Sequence, residues 1–324
     1  MTDARPQVSV VVPARDAGGH LPDALGSLAR QGIAPTDLEV VVVDDGSTDD
    51  TLEVLEEAST RMPGLRWVHH RTARGVSAAR NRGVKESRGR WVTFLDPDDW
   101  FYPGHLAHML AAGDALDVDF LVCDQVQAYG EERRRVRAPE VRRHVGLDPR
   151  TGILPTTRST MVNYVQVSSR FLSRRVVDDG LAVFDEDLPT AEDREWAWRL
   201  LLGTRRYAVV DAPGYVYRRQ VANSLTDIGD VRQLGFVTAY DGVLDRLRQD
   251  ATLARYEPKV LRDTIAVLHH HTKRRQAYPD DVWAQLVDRS QGLVDRFDPA
   301  VRAEQRAAMD ARRAHDLRKQ GVHV

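Results

Sequence analysis

Cysteine is nearly absent. Cys123 is the one thiol in 324 residues, which excludes an intrachain disulfide and a zinc site built on paired cysteines. No apolar run approaches the roughly 20 residues needed to cross a bilayer. The first residues, Met1 to Pro6, lack the basic stretch followed by an apolar one that marks a secretory leader, so the expectation is a cytoplasmic protein without a transmembrane segment. An excess of one charge is missing too. Lys and Arg number 46 against 48 Asp and Glu, a formal net charge of −2, which argues against a nucleic-acid coat. What is present is 42% hydrophobic and 29% charged residues, enough for the core of one large domain or two ordinary ones.

The charge and the texture both change near residue 230. Residues 231–324 hold 17 basic and 13 acidic side chains, so the first 230 residues carry −6. Upstream, short β-branched runs alternate with helical patterns. Val8–Val12, Leu38–Val43, Arg66–Val68, Trp91–Leu95 and Phe120–Cys123 read as strands. Leu21, Leu25 and Leu28, then Leu52 and Leu55, then Ser77 to Lys85 read as helices, with Ser47 or Thr48 as the cap of the second. Downstream the pattern is helical throughout. The expected organisation is an α/β unit over 1–230 and a helical region over 231–324. Strands separated by helices imply crossovers and a mainly parallel sheet, and continuous Val runs fit strands covered on both faces. Ligands of such sheets bind beyond the carboxyl ends of the strands. Two acidic clusters, Asp44-Asp45 and Asp96 to Asp99, fall at two such ends.

Each cluster has a plain reading beside the chemical one. In Asp96-Pro97-Asp98-Asp99, three carboxylates in four residues repel one another unless a cation or donors offset them. Hard divalent cations take oxygen ligands and are often shared with substrate phosphates; the plain alternative is a solvated acidic turn. Asp44-Asp45-Gly46-Ser47-Thr48-Asp49 could hold a base or ribose through its carboxylates, or simply cap a helix. Gly75 to Gly83 places small residues on one helix face with Arg74, Arg80 and Arg82 around it, and by itself reads as ordinary helix packing. Glu192-Asp193 opens a helix running from Ala191 to Leu202. A carboxylate there could act as general base, while Thr190-Ala191-Glu192-Asp193 also reads as a capping box. Tyr215 to Gln220 leads a strand into Arg218 and Arg219, whose guanidinium groups suit phosphate oxygens or a solvated turn. His269-His270-His271 and Lys273-Arg274-Arg275 read as the partly exposed, solvated side of a helix whose apolar stripe is Leu261, Ile265 and Leu268.

The order of these motifs is less ambiguous than any one of them. Val12-Pro13, Val43-Asp44-Asp45-Gly46-Ser47-Thr48-Asp49, Gly75-Val76-Ser77 with Ala79-Arg80-Asn81, and Phe94-Leu95-Asp96-Pro97-Asp98-Asp99 together resemble the family 2 glycosyltransferases of GT-A fold, over roughly residues 7–225. The resemblance implies a nucleotide-sugar donor, usually UDP-linked, and Mn2+ or Mg2+. It implies Asp45 on the uracil edge, with Pro13, Ala14, Arg15 and Asp16 lining the base pocket. Arg15 stands where the family often has an aromatic, and its planar guanidinium can stack on a base. Asp96 and Asp98 match the D-x-D pair around Pro97. Asp98 would be the direct metal ligand, with Asp96 nearer the ribose or a metal-bound water. Arg80 and Asn81 would help hold nucleotide and donor sugar. Glu192-Asp193 matches the later E-D motif, making Asp193 the base. Arg218, Arg219 and Ser224 match a segment that approaches the diphosphate.

The mechanism so implied is direct displacement with inversion. The helical tail looks similar to that of soluble bacterial enzymes that glycosylate teichoic acid or other surface polymers. It would cover the acceptor side or join subunits into a homo-oligomer. The implied acceptor is a hydroxyl of a polyanionic or lipid-linked glycopolymer, met at the inner face of the membrane. The Arg133-Arg134-Arg135-Val136-Arg137 stretch would suit a polyanion, or be a solvated loop. Competing readings are a nucleotidyltransferase, for which the stretch from Pro13 to His20 offers only Gly18-Gly19 as a phosphate loop, a nucleotide-sugar binding protein without catalysis, and a structural scaffold.

Overall fold

A computed structural model describes residues 5–219 and 228–324. Among these residues nine strands form one sheet: β1 (Val8–Ala14), β2 (Leu38–Asp44), β3 (Leu65–His69), β4 (Trp91–Phe94), β5 (Trp100–Phe101), β6 (Phe120–Tyr129), β7 (Glu132–Val136), β8 (Arg170–Ser173) and β9 (Tyr207–Arg218). The strands expected from the apolar runs are β1, β2, β3, β4 and β6. Their order is β3-β2-β1-β4-β8-β6-β9-β5, with β7 hairpinned onto β6. The β3-β2-β1-β4 half is parallel throughout. β8 then runs antiparallel between β4 and β6, and β9 returns parallel to β6. The short β5 and β8 carry too few residues to show a period of their own.

The Val runs are continuous because both faces of the sheet are covered. Val8, Val10, Val12, Val40 and Val42 belong to one apolar cluster, with Leu21, Leu25 and Leu28 of α1 (Leu21–Leu28). Val11 and Phe94 point the other way, into a second cluster. The remaining helices of the α/β part are α2 (Thr51–Arg61), α3 (Val76–Glu86), α4 (His105–Ala115), α5 (Arg174–Asp178) and α6 (Glu192–Gly203). Neither expected side-chain cap forms. The Ser47 hydroxyl bonds Asp44 and α2 begins only at Thr51. The Thr190 hydroxyl donates to the Arg232 carbonyl, leaving Ala191 at φ 63° ahead of α6. The Thr190 hydroxyl is taken by a partner 42 residues away, while Ser47 closes a local turn onto Asp44 and accepts from the distant Asp16 N–H.

From Val231 onward the described elements are all helical: α7 (Gly235–Arg248), α8 (Glu257–Thr272), α9 (Asp280–Asp295), α10 (Pro299–Ala308) and α11 (Ala311–Lys319), with short 3-10 turns. They share the second apolar cluster with the sheet: Trp196 and Leu200 of α6 join Tyr240, Leu261, Ile265, Leu286, Leu317 and Val322 in one core. The helical region is therefore packed onto the α/β layer through α6. The histidine triplet departs from expectation. His269 and His271 are buried and only His270 is exposed. The apolar stripe of α8 extends one turn further than Leu268, because the His271 ring stacks on Phe236 at 5.1 Å and its Nδ1 lies 2.6 Å from the Tyr278 hydroxyl. Burial pushes the His271 pKa down to about 3, with His270 and Arg274 adding to the effect. The Arg133–Arg137 stretch is also no loop: Arg133, Arg134 and Arg135 lie on β7, paired residue for residue with β6.

Gly83 shows how closely α3 lies on the sheet. A Cβ there would sit 2.2 Å from Val11 Cγ1, a buried β-branched side chain with no room to yield. A Cβ on Gly26 in α1 meets nothing within 4 Å. Gly26→Ala should therefore raise the melting temperature through helix propensity, by about 0.5–1 kcal/mol. Gly83→Ala should lower it, because overpacking costs about 1–3 kcal/mol. Thermal denaturation of the two variants side by side checks the sign of each.

Candidate functional site

β1, β2 and β4 are parallel, so their carboxyl ends open on one edge of the sheet. At the first tip Pro13 and Ala14 are buried, while Arg15 and Asp16 are exposed. Asp16 adopts φ 46°. Its Oδ1 accepts from the Thr48 N–H at 2.7 Å and its own N–H donates to the Ser47 hydroxyl at 2.9 Å. The Gly18 N–H donates to Asp49 at 2.9 Å. The loop after β1 is thus stapled to the loop after β2, and Arg15, 3.7 Å from the Asp16 carboxylate, projects from that staple.

At the second tip Asp44 is fully buried and bonded to His69 Nδ1 at 2.6 Å. Asp45 is spent on the next loop. Its carboxylate accepts from the Arg74 N–H (2.9 Å), from the Gly75 N–H (2.7 Å) and lies 2.7 Å from His70 Nδ1. Asp45 therefore sets the start of α3, and a base edge would have to share it with these donors.

The third tip is joined to α6 by a residue of α3. The Arg80 side chain is 6% exposed, and it places Nη2 3.0 Å from Asp96 Oδ1 and Nη1 2.8 Å from Glu192 Oε1. Burial works against the Arg80 charge, but the two carboxylates more than offset it and its pKa rises. The Glu192 pKa rises through burial and the neighbouring Asp193, relieved in part by Arg80. Asn81, next on α3, uses its amide on Phe184 and Glu186. It anchors the segment leading into α6. Asp193 is half-buried and makes no hydrogen bond or ion pair with another described residue.

Within the acidic cluster each carboxylate has a different environment. Asp99 is buried, accepting from the Tyr215 hydroxyl at 2.6 Å and the Arg218 N–H at 2.8 Å. Burial, with Asp96 and Asp98 beside it, raises its pKa well above the usual carboxylate range. The Asp98 pKa is raised by burial and by Asp96, with His20 and Arg218 opposing. Arg218 reaches the Asp98 carbonyl through Nε (2.8 Å) and Asp23 through Nη2 (2.9 Å), and lies over the Trp100 ring. Arg219 lies over Tyr217 and donates to its hydroxyl. Ser224 falls outside the described residues.

No group of three or more His, Cys, Asp or Glu side chains forms a metal cage among the described residues. The cluster still suits a hard cation that completes its shell on a phosphate. Asp98 and Asp96 offer carboxylate oxygens, and the like charge crowded on Asp96, Asp98 and Asp99 is what such a cation would neutralise.

Three contributors escape a reading by motif. Asp99 belongs to the acidic cluster, but its task of fixing β9 depends on a partner 116 residues away. His70 braces Asp45 from just past the end of the edge strand β3. Arg170 is buried on β8, over the Trp196 ring at 5.2 Å, and its charge acts on Asp193. Burial lowers its pKa to about 10. An isolated arginine ahead of Phe171-Leu172 carries no pattern that would single it out.

The family model described as "Glycosyl transferase family 2" matches residues 9–181. Among curated proteins, the chain is 25% identical over 322 residues to the poly(ribitol-phosphate) beta-N-acetylglucosaminyltransferase TarS of Staphylococcus aureus, covering 95% of this chain and 53% of the relative. It is 28% identical over 225 residues to the uncharacterized glycosyltransferase EpsJ of Bacillus subtilis, covering 69% and 64%. The chain thus spans between 53% and 64% of the length of these two relatives. The crystal structure of S. aureus TarS 1-349 superposes with a TM-score of 0.65 at 20% identity, covering 98% of this chain and 92% of that one. Its complex with UDP-GlcNAc gives 0.62, covering 98% and 93%. A mannosyltransferase from Pyrobaculum calidifontis in complex with GDP-Man and Mn2+ gives 0.54 at 18% identity, covering 98% and 80%. The architecture is the GT-A fold with a helical C-terminal region.

The Arg80 bridge has a direct consequence. Breaking a buried ion pair from one side costs about 3–5 kcal/mol, because the orphaned carboxylates stay buried. Arg80→Ala should lower the melting temperature accordingly. Arg80→Lys, whose ammonium lacks the planar fork that reaches both partners, should recover only part of the loss. Full recovery by Lys would show that one contact suffices.

Proposed function

The chain belongs to glycosyl transferase family 2, and from that premise we propose that it moves a sugar from a UDP-linked donor to an acceptor hydroxyl, with inversion at the anomeric carbon. The observation that carries the reading is the Arg80 bridge, which ties the acidic tip of β4 to the first turn of α6. A donor-side carboxylate and the residue that precedes the candidate base are thereby joined through one side chain. UDP as the nucleotide is supported by the UDP-GlcNAc complex of the TarS fold neighbour. A hexosyl or N-acetylhexosaminyl unit and a cell-wall or surface glycopolymer acceptor are supported by the likeness to TarS, a poly(ribitol-phosphate) beta-N-acetylglucosaminyltransferase. No helix among the described residues is long and apolar enough to cross a membrane. We assign the reaction to the cytoplasmic side, 1–230 to donor binding and catalysis, and 231–324 to the acceptor side, with oligomerisation through its helices as a further role.

In this mechanism the nucleotide lies on the loops that follow β1 and β2, with Arg15 against the base. Asp98 and Asp96 would hold a divalent cation, Mn2+ or Mg2+, which neutralises charge on the departing diphosphate. Arg218 and Arg219 add positive charge from the end of β9. Asp193 takes the proton of the acceptor hydroxyl as that oxygen forms its bond to the anomeric carbon. The bond from that carbon to the diphosphate breaks on the opposite face and its electron pair leaves with the nucleotide. An α-linked donor gives a β-linked product. Arg80 and Glu192 position Asp193 by fixing the first turn of α6, and the buried Arg170 adds positive charge near it.

Asp193→Asn should cut transfer by about 10²–10⁴-fold, the usual contribution of a general base, while nucleotide binding stays within twofold; near-normal turnover would remove Asp193 from that role. The acidic cluster gives a pH test. Because Asp98 and Asp99 keep their protons to higher pH than free carboxyls, the stability tied to their protonated forms is complete below pH ~4 and is lost as pH rises through the raised folded values. A cation offsets the repulsion that appears above that window and competes with protons within it. Mn2+ with UDP should therefore raise the melting temperature more at pH 7.5 than at pH 5, and Asp98→Ala should abolish the difference. Equal shifts at both pH values would contradict cation binding at this cluster.

A further inference from the structure

We propose that Thr190 is a positioning residue for Asp193, and that the helical region keeps the candidate base available by holding the Thr190 hydroxyl. This rests on the sugar-transfer reading above and adds the group that sets the base from the helical side. Two local preferences are overridden just ahead of α6. Thr190 stands three residues before an acid, the spacing of a capping box, yet its hydroxyl donates to the Arg232 carbonyl at 2.5 Å, 42 positions further on. Ala191 stands at φ 63°, a left-handed backbone that is costly for a residue with a Cβ. In a capping box the acid folds back onto the N–H of the capping residue. Here that acid is Asp193. Diverting the Thr190 hydroxyl to Arg232 therefore keeps Asp193 from being consumed as a cap.

Backbone strain of this kind persists where the surrounding structure over-determines it. That structure is the start of α7. Gly235 lies so close to Thr190 that a Cβ on it would stand 2.5 Å from the Thr190 carbonyl oxygen and 2.7 Å from its hydroxyl oxygen. Arg194, the residue after Asp193, is hydrogen-bonded to Tyr240 of α7. Deeper along α6, Trp196 and Leu200 share a core with Phe236 and Tyr240. From the opposite side Arg80 holds Glu192 at 2.8 Å. The backbone around the base is thus gripped at Thr190 and Arg194 by the helical region and at Glu192 by α3. Asp193, the residue they enclose, lines a cavity of about 220 Å³ together with Phe236, Val267 and His270. The strained turn and the forgone cap are two parts of one arrangement, and both leave this carboxylate on the cavity wall.

The test compares Thr190→Val, which keeps the shape and loses the hydroxyl, with Thr190→Ser, which keeps the hydroxyl. Melting curves confirm that each is folded, and Thr190→Ala replaces the valine variant if that one is not. The first readout is release of UDP from UDP-GlcNAc by the full chain, with water as acceptor. Thr190→Val should lower kcat by about tenfold to a hundredfold, the cost of a misplaced catalytic group, with the Kd for UDP within about twofold of the unsubstituted protein. Thr190→Ser should recover most of the loss. In an Asp193→Asn background Thr190→Val should change the residual rate by less than about twofold, because groups that act as a unit do not add. A merely structural role would give the same fractional loss in both backgrounds. The second readout needs no turnover: amide hydrogen exchange across residues 191–195 should quicken by about tenfold in Thr190→Val while α3 keeps its protection. Near-normal kcat in Thr190→Val, an equal fractional loss without Asp193, or unchanged exchange across residues 191–195 would each overturn the proposal. Absence of UDP release by the unsubstituted protein would count against the sugar-transfer reading instead, and the exchange result would then decide by itself whether Thr190 holds the turn.

Discussion

One guanidinium joins the two halves of this site. Arg80 is nearly inaccessible and serves two carboxylates, Asp96 at the tip of β4 and Glu192 at the first turn of α6. Those residues are 96 positions apart in the chain, and no strand pairing places them together. The helix that carries Arg80 is itself set by Asp45, whose carboxylate gathers the N–H groups of Arg74 and Gly75. The chain of support therefore runs from the β2 tip, through α3, to the acidic cluster and the E-D pair. A buried arginine is tolerable because two acids share its charge, and the acids are tolerable because the arginine is fixed.

The same logic explains why the acidic residues differ in use. Asp44 and Asp99 are buried and hydrogen-bonded, and they shape loops. Asp45 organises a helix start. Among the described residues the Asp98 and Asp193 carboxylates have no side-chain hydrogen-bond partner, and with Asp96 they are the carboxylates given a chemical part in the proposed mechanism. Folding consumes the donors around most of the cluster and leaves Asp98 and Asp193 half-buried. The C-terminal helices complete the arrangement, since α7 and α8 pack on α6 through the core that also covers the sheet. The candidate base thus lies at the seam between the α/β layer and the helical region.

Much of this was legible in sequence because the strands β1, β2 and β4 are buried on both faces and read as unbroken apolar runs, each ending in a chemically distinct tip. The motif order supplied the resemblance, and the E-D pair followed from it. What was not legible depended on partners far away in the chain. The hydroxyls of Ser47 and Thr190 looked like caps because the distant groups that engage them, the Asp16 N–H and the Arg232 carbonyl, are invisible locally. His269 and His271 looked exposed because polar residues at the end of an apolar stripe are usually solvated; Phe236, Tyr278 and Asp316 cover them instead. Motif alone also did not reveal the protein partners of this pair: Asn81 holds Phe184 and Glu186 ahead of α6, and Arg80 holds Asp96 and the first residue of α6.

Arg80 couples the acidic tip to the E-D pair, and a double-mutant cycle on thermal stability measures that coupling directly. Asp96→Asn, Glu192→Gln and the pair are compared with the unsubstituted chain. The account predicts an interaction energy of at least about 1 kcal/mol, within the range seen for groups sharing one charged network. Effects that add to within about 0.3–0.5 kcal/mol, the behaviour of independent sites, would contradict it.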